Sequence, residues 1–296
     1  MIWPLYATII GVSILIWIFV FFSYWLGYRY ATILFDLLPV YPILALIGFG
    51  GVLTGSILWL GFPNWIPFLI IGSIITPLLI FINIRWLLGY RMKKYEELLV
   101  ELSQDKYDVR PFKDYFSGKK NDPNKITVYI RHDVDISLRR QQKMAELEKK
   151  YGIHSTYLFR LHAERYKFEQ VKPIIQDLVK DDFEIGFHYE SLSQTKGDSE
   201  SAIKLFTEEL KQIREITPTH IVAAHGDRYK NRTIWPSIPK EKLKVWSCYD
   251  LKNDHYISDA GGYDMFKRFG HHLFQKLTKT TKGEIVQILI HPDWWF

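Results

Sequence analysis

Apolar residues run almost unbroken through residues 3–26, 37–60 and 65–88, then give way to short apolar runs spaced by charged segments. As a helix rising ~1.5 Å per residue, each long run would cross the ~30 Å hydrocarbon core of a bilayer. Up to Ile84 the only charged side chains are Arg29 and Asp36. A water-soluble domain with so little charge would have almost nothing polar to show to water. Three transmembrane helices are therefore predicted, in a membrane domain of residues 1–90. Trp3, Trp25, Trp59, Trp65 and Trp86 fall near the ends of the runs, where interfacial aromatics belong. Pro67 and Pro77 are expected to bend the third span, and Gly51 and Gly55 have the spacing that lets spans pack closely. The N-terminus lacks a basic leader and a small-residue cleavage site, so a cleaved signal peptide is not expected.

Beyond the spans the pattern changes. Residues 92–103, MKKYEELLVELS, place apolar side chains at helical spacing and predict a helical stalk; residues 117–125, SGKKNDPNK, read as a polar linker. Stalk and linker occupy 91–124, and a soluble domain is expected over 125–296. Within it short apolar strands at 125–131, 155–161, 183–190, 220–226, 244–251 and 284–290 alternate with amphipathic helices at 138–150, 169–180, 200–216 and 264–277. Such alternation implies a parallel α/β sheet or barrel, in which reactive groups sit on the loops after the carboxyl ends of the strands.

Charge then sets orientation and compartment. Arg29 and Asp36 cancel, so the net charge of +6 belongs to the chain from Arg85 onward. Arg85, Arg91, Lys93 and Lys94 cluster just after the third span, which by the positive-inside rule puts the soluble domain in the cytoplasm. Cys248 is the only cysteine, so no intrachain disulfide forms. The expected localisation is an integral, multi-pass membrane protein; its partners are the lipid bilayer and no nucleic acid.

The predicted strand ends carry the candidate chemistry. The stretch IRHDVDIS ends the first strand with His132, Asp133 and Asp135. His162, Glu164 and Arg165 follow the second strand, His188 and Glu190 end the third, and His225, Asp227 and Arg228 end the fourth. Tyr249 and Asp250 come next, and the last strand runs into His291 and Asp293. In a parallel α/β fold these ends converge on one face. Histidine with carboxylate and no cysteine suits a borderline divalent ion: Zn first, with Fe, Ni, Co or Mn as alternatives. Such an ion polarises a carbonyl and readies a water, a free carboxylate beside it takes the proton, and a histidine opposite protonates the leaving group. His154, His220, His255, His271 and His272 read as surface or hydrogen-bonded residues.

The segments RHDVDIS, IHSTYLFR, FEIGFHYESL, AAHG, YISDAGG and ILIHPDWW occur in an order that resembles the polysaccharide deacetylase (NodB-homology) superfamily, nearest its RHDVD branch. The resemblance spans about residues 125–295 and leaves the membrane part uncovered. It implies a distorted (β/α) barrel of about seven strands, here preceded by three transmembrane helices. It implies Asp133 as general base, Asp135 and His188 as metal ligands, and His291 as general acid. Arg228 would orient the base or bind substrate. The pattern departs at Leu192, where the family carries a second histidine; Glu190 and His225 are the candidates for the missing ligand.

The function so implied is a metal-dependent deacylase, an N-deacetylase or deformylase acting on an amino sugar. Tyr249, Asp250, Asp259, Trp294 and Trp295 are candidates for the sugar pocket. A domain tethered at the membrane beside basic residues would suit a lipid-linked saccharide carrying a phosphate. Two other readings stand beside it. A non-catalytic carbohydrate-binding relative would follow from the missing histidine. A membrane glycosyltransferase would use the DVD triplet to hold a metal and a nucleotide-sugar diphosphate, although that motif normally follows a complete nucleotide-binding half.

Overall fold

The computed structural model describes residues 92–259 and 277–295. The three predicted spans lie outside the described residues, as does the predicted helix 264–277 except for Leu277. Among the described residues no helix is long and apolar enough to cross a membrane.

The described chain is built on one sheet of eight parallel strands: β1 Tyr107–Arg110, β2 Ile126–Val134, β3 Thr156–Phe159, β4 Glu184–Tyr189, β5 Ile221–Ala224, β6 Trp246–Ser247, β7 His255–Ser258 and β8 Ile285–Ile290. Their order is β6-β5-β4-β3-β2-β8-β7, with β1 paired to β2 off that path, giving a curled half-barrel. β2 is central because it is shared three ways. β8 pairs along one edge from Thr127 to His132. The other edge takes β1 beside Ile126–Tyr129 and then β3 beside Arg131–Val134. All nine residues of β2 are buried, as a strand covered on both faces requires.

Helices fill the crossovers. α1 covers residues 92–102, α2 is Leu138–Lys150, α3 is Phe168–Lys180 and α4 is Ser199–Arg214. The Ser137 hydroxyl caps α2 by accepting from Arg140 N, and Gly152, with φ at +65°, lets the chain turn away at its end. Asp198 caps α4 through Glu200 N.

Alternation along β2 divides the core. Ile126, Val128 and Ile130 face an outer cluster with Val286, Ile288 and the α1 residues Tyr95, Leu98 and Leu99. Tyr129 faces an inner cluster with Leu158, Ile221, Ala223 and Cys248, closed below by Phe112. The segment 91–124, read from sequence as stalk and linker, thus contributes α1, β1 and the short helix Phe112–Phe116 to the folded domain. Strands β1 and β7 were not anticipated, and the expected strand 244–251 shrinks to Trp246–Ser247. There the Ser247 hydroxyl accepts from Tyr249 N and turns the chain into a 3-10 helix, Cys248–Asp250.

Candidate active site

On β2 the two-residue period puts Arg131 and Asp133 on the same inner face as Tyr129, and Asp135 follows just past the strand end. Arg131 Nη2 donates to Asp133 Oδ2 at 3.2 Å, with both side chains almost wholly buried. The Arg131 guanidinium also lies 4.9 Å from the centre of the Tyr249 ring. Its Nε and Nη1 find no hydrogen-bond partner among the described residues, nor does Asp133 Oδ1. His132, between these residues in sequence, faces the other way. Its Nε2 is 2.7 Å from Glu148 Oε1, and Glu148 also accepts from the hydroxyls of Tyr95, Ser155 and Tyr157. Burial would raise the Glu148 carboxyl, but His132 and these donors outweigh it and hold the group below its ordinary range. His132 therefore belongs to the outer core.

Asp135, His188 and His225 come from the ends of β2, β4 and β5, and their ligand atoms lie within 4.8 Å of one another. His188 Nε2 is 3.4 Å and His225 Nε2 3.8 Å from Asp135 Oδ1, an atom with no hydrogen-bond partner. His188 Nδ1 sits 3.1 Å from the Ala223 carbonyl, the arrangement in which that nitrogen carries the proton and Nε2 keeps its lone pair. Burial, then the neighbouring His188, push the His225 imidazole down to about 4, so it is neutral, as a ligand must be. Burial would raise Asp135; the neighbouring imidazoles, His188 first and then His291 and His225, outweigh it and hold it well below the usual carboxylate range. One carboxylate and two imidazoles around an unpartnered buried oxygen fit a divalent cation of the zinc type.

Glu190 is committed elsewhere. Its two oxygens accept from Arg160 Nε at 3.1 Å and Nη2 at 2.6 Å, and Arg160 also reaches Glu164. Leu192 points into the cluster formed by Tyr189, Phe206 and Trp235.

His291 follows β8. Its Nδ1 is 2.5 Å from Asp259 Oδ1, and its backbone N donates to Asp259 Oδ2 at 2.7 Å. The Trp295 indole also donates to that carboxylate, at 3.2 Å. His291 Nε2 is thereby turned toward the cluster, 3.7 Å from Asp135 Oδ2. Burial opposes charge on this ring, but the Asp259 carboxylate outweighs it, helped by Asp135 and Asp133, and lifts the imidazolium to about 10. Asp259, a sugar-pocket candidate by sequence, thus grips the candidate acid.

The remaining candidates separate. Tyr249 lies at the site, its hydroxyl donating to the Ala224 carbonyl at 3.0 Å. Exposed Arg228 lies over the Tyr229 ring and contacts its hydroxyl, whereas the guanidinium that meets Asp133 is Arg131. Asp250 accepts from the Trp235 indole, and Trp294 packs against the outer cluster with Trp295. Asp293 is buried and latches the two strand ends together by accepting from Ile136 N at 3.0 Å; burial pushes its carboxyl up to about 6, against the charge of Arg140. The sequence reading passed over Arg131. Its signal was the spacing, since a residue two before Asp133 in a strand must share its face.

No protein-family model matches the chain, and no curated protein sequence matches it. Among solved structures it is similar to the peptidoglycan deacetylase PdaC from Bacillus subtilis, at 16% identity and a TM-score of 0.41, over 58% of this chain and 77% of that one. It is also similar to BA3943, a CE4 family pseudoenzyme from Bacillus anthracis, at 16% identity and a TM-score of 0.39. A BA3943 mutant with restored enzymatic activity gives 16% identity and 0.40, the match spanning 58% of each chain. Likenesses this slight assign no activity.

Proposed function

We propose that this chain is a metal-dependent amidohydrolase that removes an N-acetyl or N-formyl group from an amino sugar. Its substrate is a lipid-linked saccharide, presented at the bilayer in which residues 1–90 anchor the domain, on the cytoplasmic side. The observation that carries this reading is that a carboxylate and a charged imidazole flank the three-ligand cluster. Asp133 Oδ2 is 3.6 Å from His188 Nε2, and His291 Nε2 is 3.7 Å from Asp135 Oδ2.

Asp135, His188 and His225 would hold the cation, which when bound supplies a Lewis acid that polarises the amide carbonyl and makes water more acidic. Asp133 accepts the proton of the attacking water. Arg131 fixes the carboxylate for that task and balances its charge in a buried setting. His291, kept protonated by Asp259, gives its Nε2 proton to the departing amine. Tyr249 flanks the pocket for the sugar.

Two measurements on purified full-length protein test this. About one equivalent of transition metal per chain is expected by elemental analysis, together with amine release from N-acylated, lipid-linked amino sugars. Absence of both, with no metal taken up when offered, would overturn the reading. Burial of Leu192 in the core favours a second one, a carbohydrate-binding relative without turnover; saccharide binding with metal bound and no amine release would select it.

A further inference from the structure

The rim beside Tyr249 is cationic and rigid. After His225 and Gly226, the connection from β5 to β6 runs through Asp227, Arg228, Tyr229, Lys230, Asn231 and Arg232. Arg228, Lys230 and Arg232 are exposed, and none forms an ion pair with a carboxylate among the described residues. The carboxylates of this rim are engaged. Asp227 accepts from Tyr229 N, Asn231 and the Ser193 hydroxyl, and Asp250 accepts from the Trp235 indole. Fully buried Asn231 locks the turn from below, donating to the His225 carbonyl at 3.0 Å and accepting from Ser193 N at 3.0 Å. The cations are therefore held on the very strand end that carries His225.

Arg232 lies 4.2 Å from the centre of the Tyr249 ring, the same ring that has Arg131 at 4.9 Å on its way to Asp133. One aromatic ring thus meets both an exposed guanidinium and the buried one that holds the candidate base. That buried guanidinium keeps two nitrogens, Nε and Nη1, without partners although Arg131 is only 1% exposed. Preorganised, unneutralised guanidiniums beside an aromatic face match a sugar that carries phosphate, because the planar fork pairs with two phosphoryl oxygens at once.

Resting on the amidohydrolase reading of the neighbouring site, we infer that the turn Asp227–Arg232 is a subsite for a phosphoryl group on the substrate. The group is bound by Arg232, over the Tyr249 ring, and by Arg228, over the Tyr229 ring. This goes beyond a general attraction of basic residues to the bilayer, since it assigns the phosphate to named side chains at the catalytic mouth.

The test is calorimetric titration of full-length protein with inorganic phosphate at constant ionic strength, in phosphatidylcholine nanodiscs with or without phosphatidic acid. Saturable binding of one phosphate per chain is expected. Arg232→Gln and Arg228→Gln should each weaken it at least about fivefold, as loss of a charge-assisted bond requires. Lys242→Gln, exposed but outside the turn, should leave it unchanged. If phosphatidic acid in the nanodisc suppresses the titration, the site reads a lipid headgroup; if the titration survives, it reads a soluble phosphorylated sugar. Either supports the subsite. Three results would overturn it: no saturable binding; equal weakening by Lys242→Gln and Arg232→Gln; or binding lost in His225→Ala but kept in Arg232→Gln, which would put phosphate on the metal cluster. No step of the titration needs turnover, so the subsite and the hydrolase reading can fail separately.

Discussion

Asp133 and Asp135 are two residues apart, yet their surroundings give them different work. Asp133 is paired to Arg131, whereas Asp135 leaves Oδ1 unpartnered between two imidazoles. Replacing Asp133 with Asn keeps the shape and removes the proton acceptor. Turnover should fall by about 10²–10⁴-fold, the usual worth of a general base, while metal content by elemental analysis stays at the wild-type level. A joint loss of metal would mean that Asp133 is a ligand instead. The third ligand is tested by a contrast between His225 and Glu190. His225→Ala should lose bound metal and keep its fold. Glu190→Gln should keep its metal but lose about 3 kcal/mol in urea unfolding, because a buried Arg160 is stripped of its main charge partner. If Glu190→Gln were the variant that lost metal, the ligand set would have to include Glu190.

At the scale of elements, the alternating strands and helices were legible because buried strands and amphipathic helices differ in period. The helix at 138–150 is reproduced to the residue. Charged strand ends converging on one face were legible for the same reason. What escaped was decided by tertiary packing. β1 and β7 are four residues each and half polar, too short for any period to show, and they exist because β2 and β8 offer free edges. Met92 to Leu102 was legible as a helix but not as core, since a helix with one apolar face docks equally well on a membrane or a sheet. Glu190 was legible as acidic, but nothing in the sequence said that Arg160 would claim it. Gly186 shows how close the inner elements come. A Cβ there would stand 2.8 Å from Leu158 Cγ and 2.9 Å from the Ile221 carbonyl oxygen. Backbone on one side leaves no room to yield, so Gly186→Ala should cost about 1–3 kcal/mol by thermal or urea unfolding. Because β4 carries His188 two residues on, the metal cluster should loosen as well. An alanine variant of wild-type stability would mean that β4 can move away from β5.

Across the whole described domain, ionisable groups sit at both ends of the half-barrel, and the lower end sets a dependence on pH. Glu184 closes that end, accepting from the Thr156 hydroxyl at 2.6 Å and from Lys113 N at 2.9 Å. Burial raises its carboxyl to about 7 against these hydrogen bonds. A carboxyl whose pKa is higher folded than unfolded binds its proton more tightly in the native state, so its stabilising effect is complete below the unfolded value of ~4.3. That contribution fades as the pH climbs toward 7 and is gone above it. The shift is worth about 3 kcal/mol, the cost of holding the charged form in a dry interior. Asp135 and Glu148, held below their ordinary values, act with the opposite sign and weaken the fold only in acid. Glu184→Gln keeps one acceptor oxygen and, like the protonated carboxyl, offers a donor on the other side; it deletes the charge, which isolates the one effect from the other. The variant should match wild type in urea unfolding near pH 5 and exceed it by a margin that grows to about 3 kcal/mol by pH 8.5. A difference that stays flat across this range would mean that Glu184 is ionised in the folded domain at pH 5, with water reaching the lower end of the barrel.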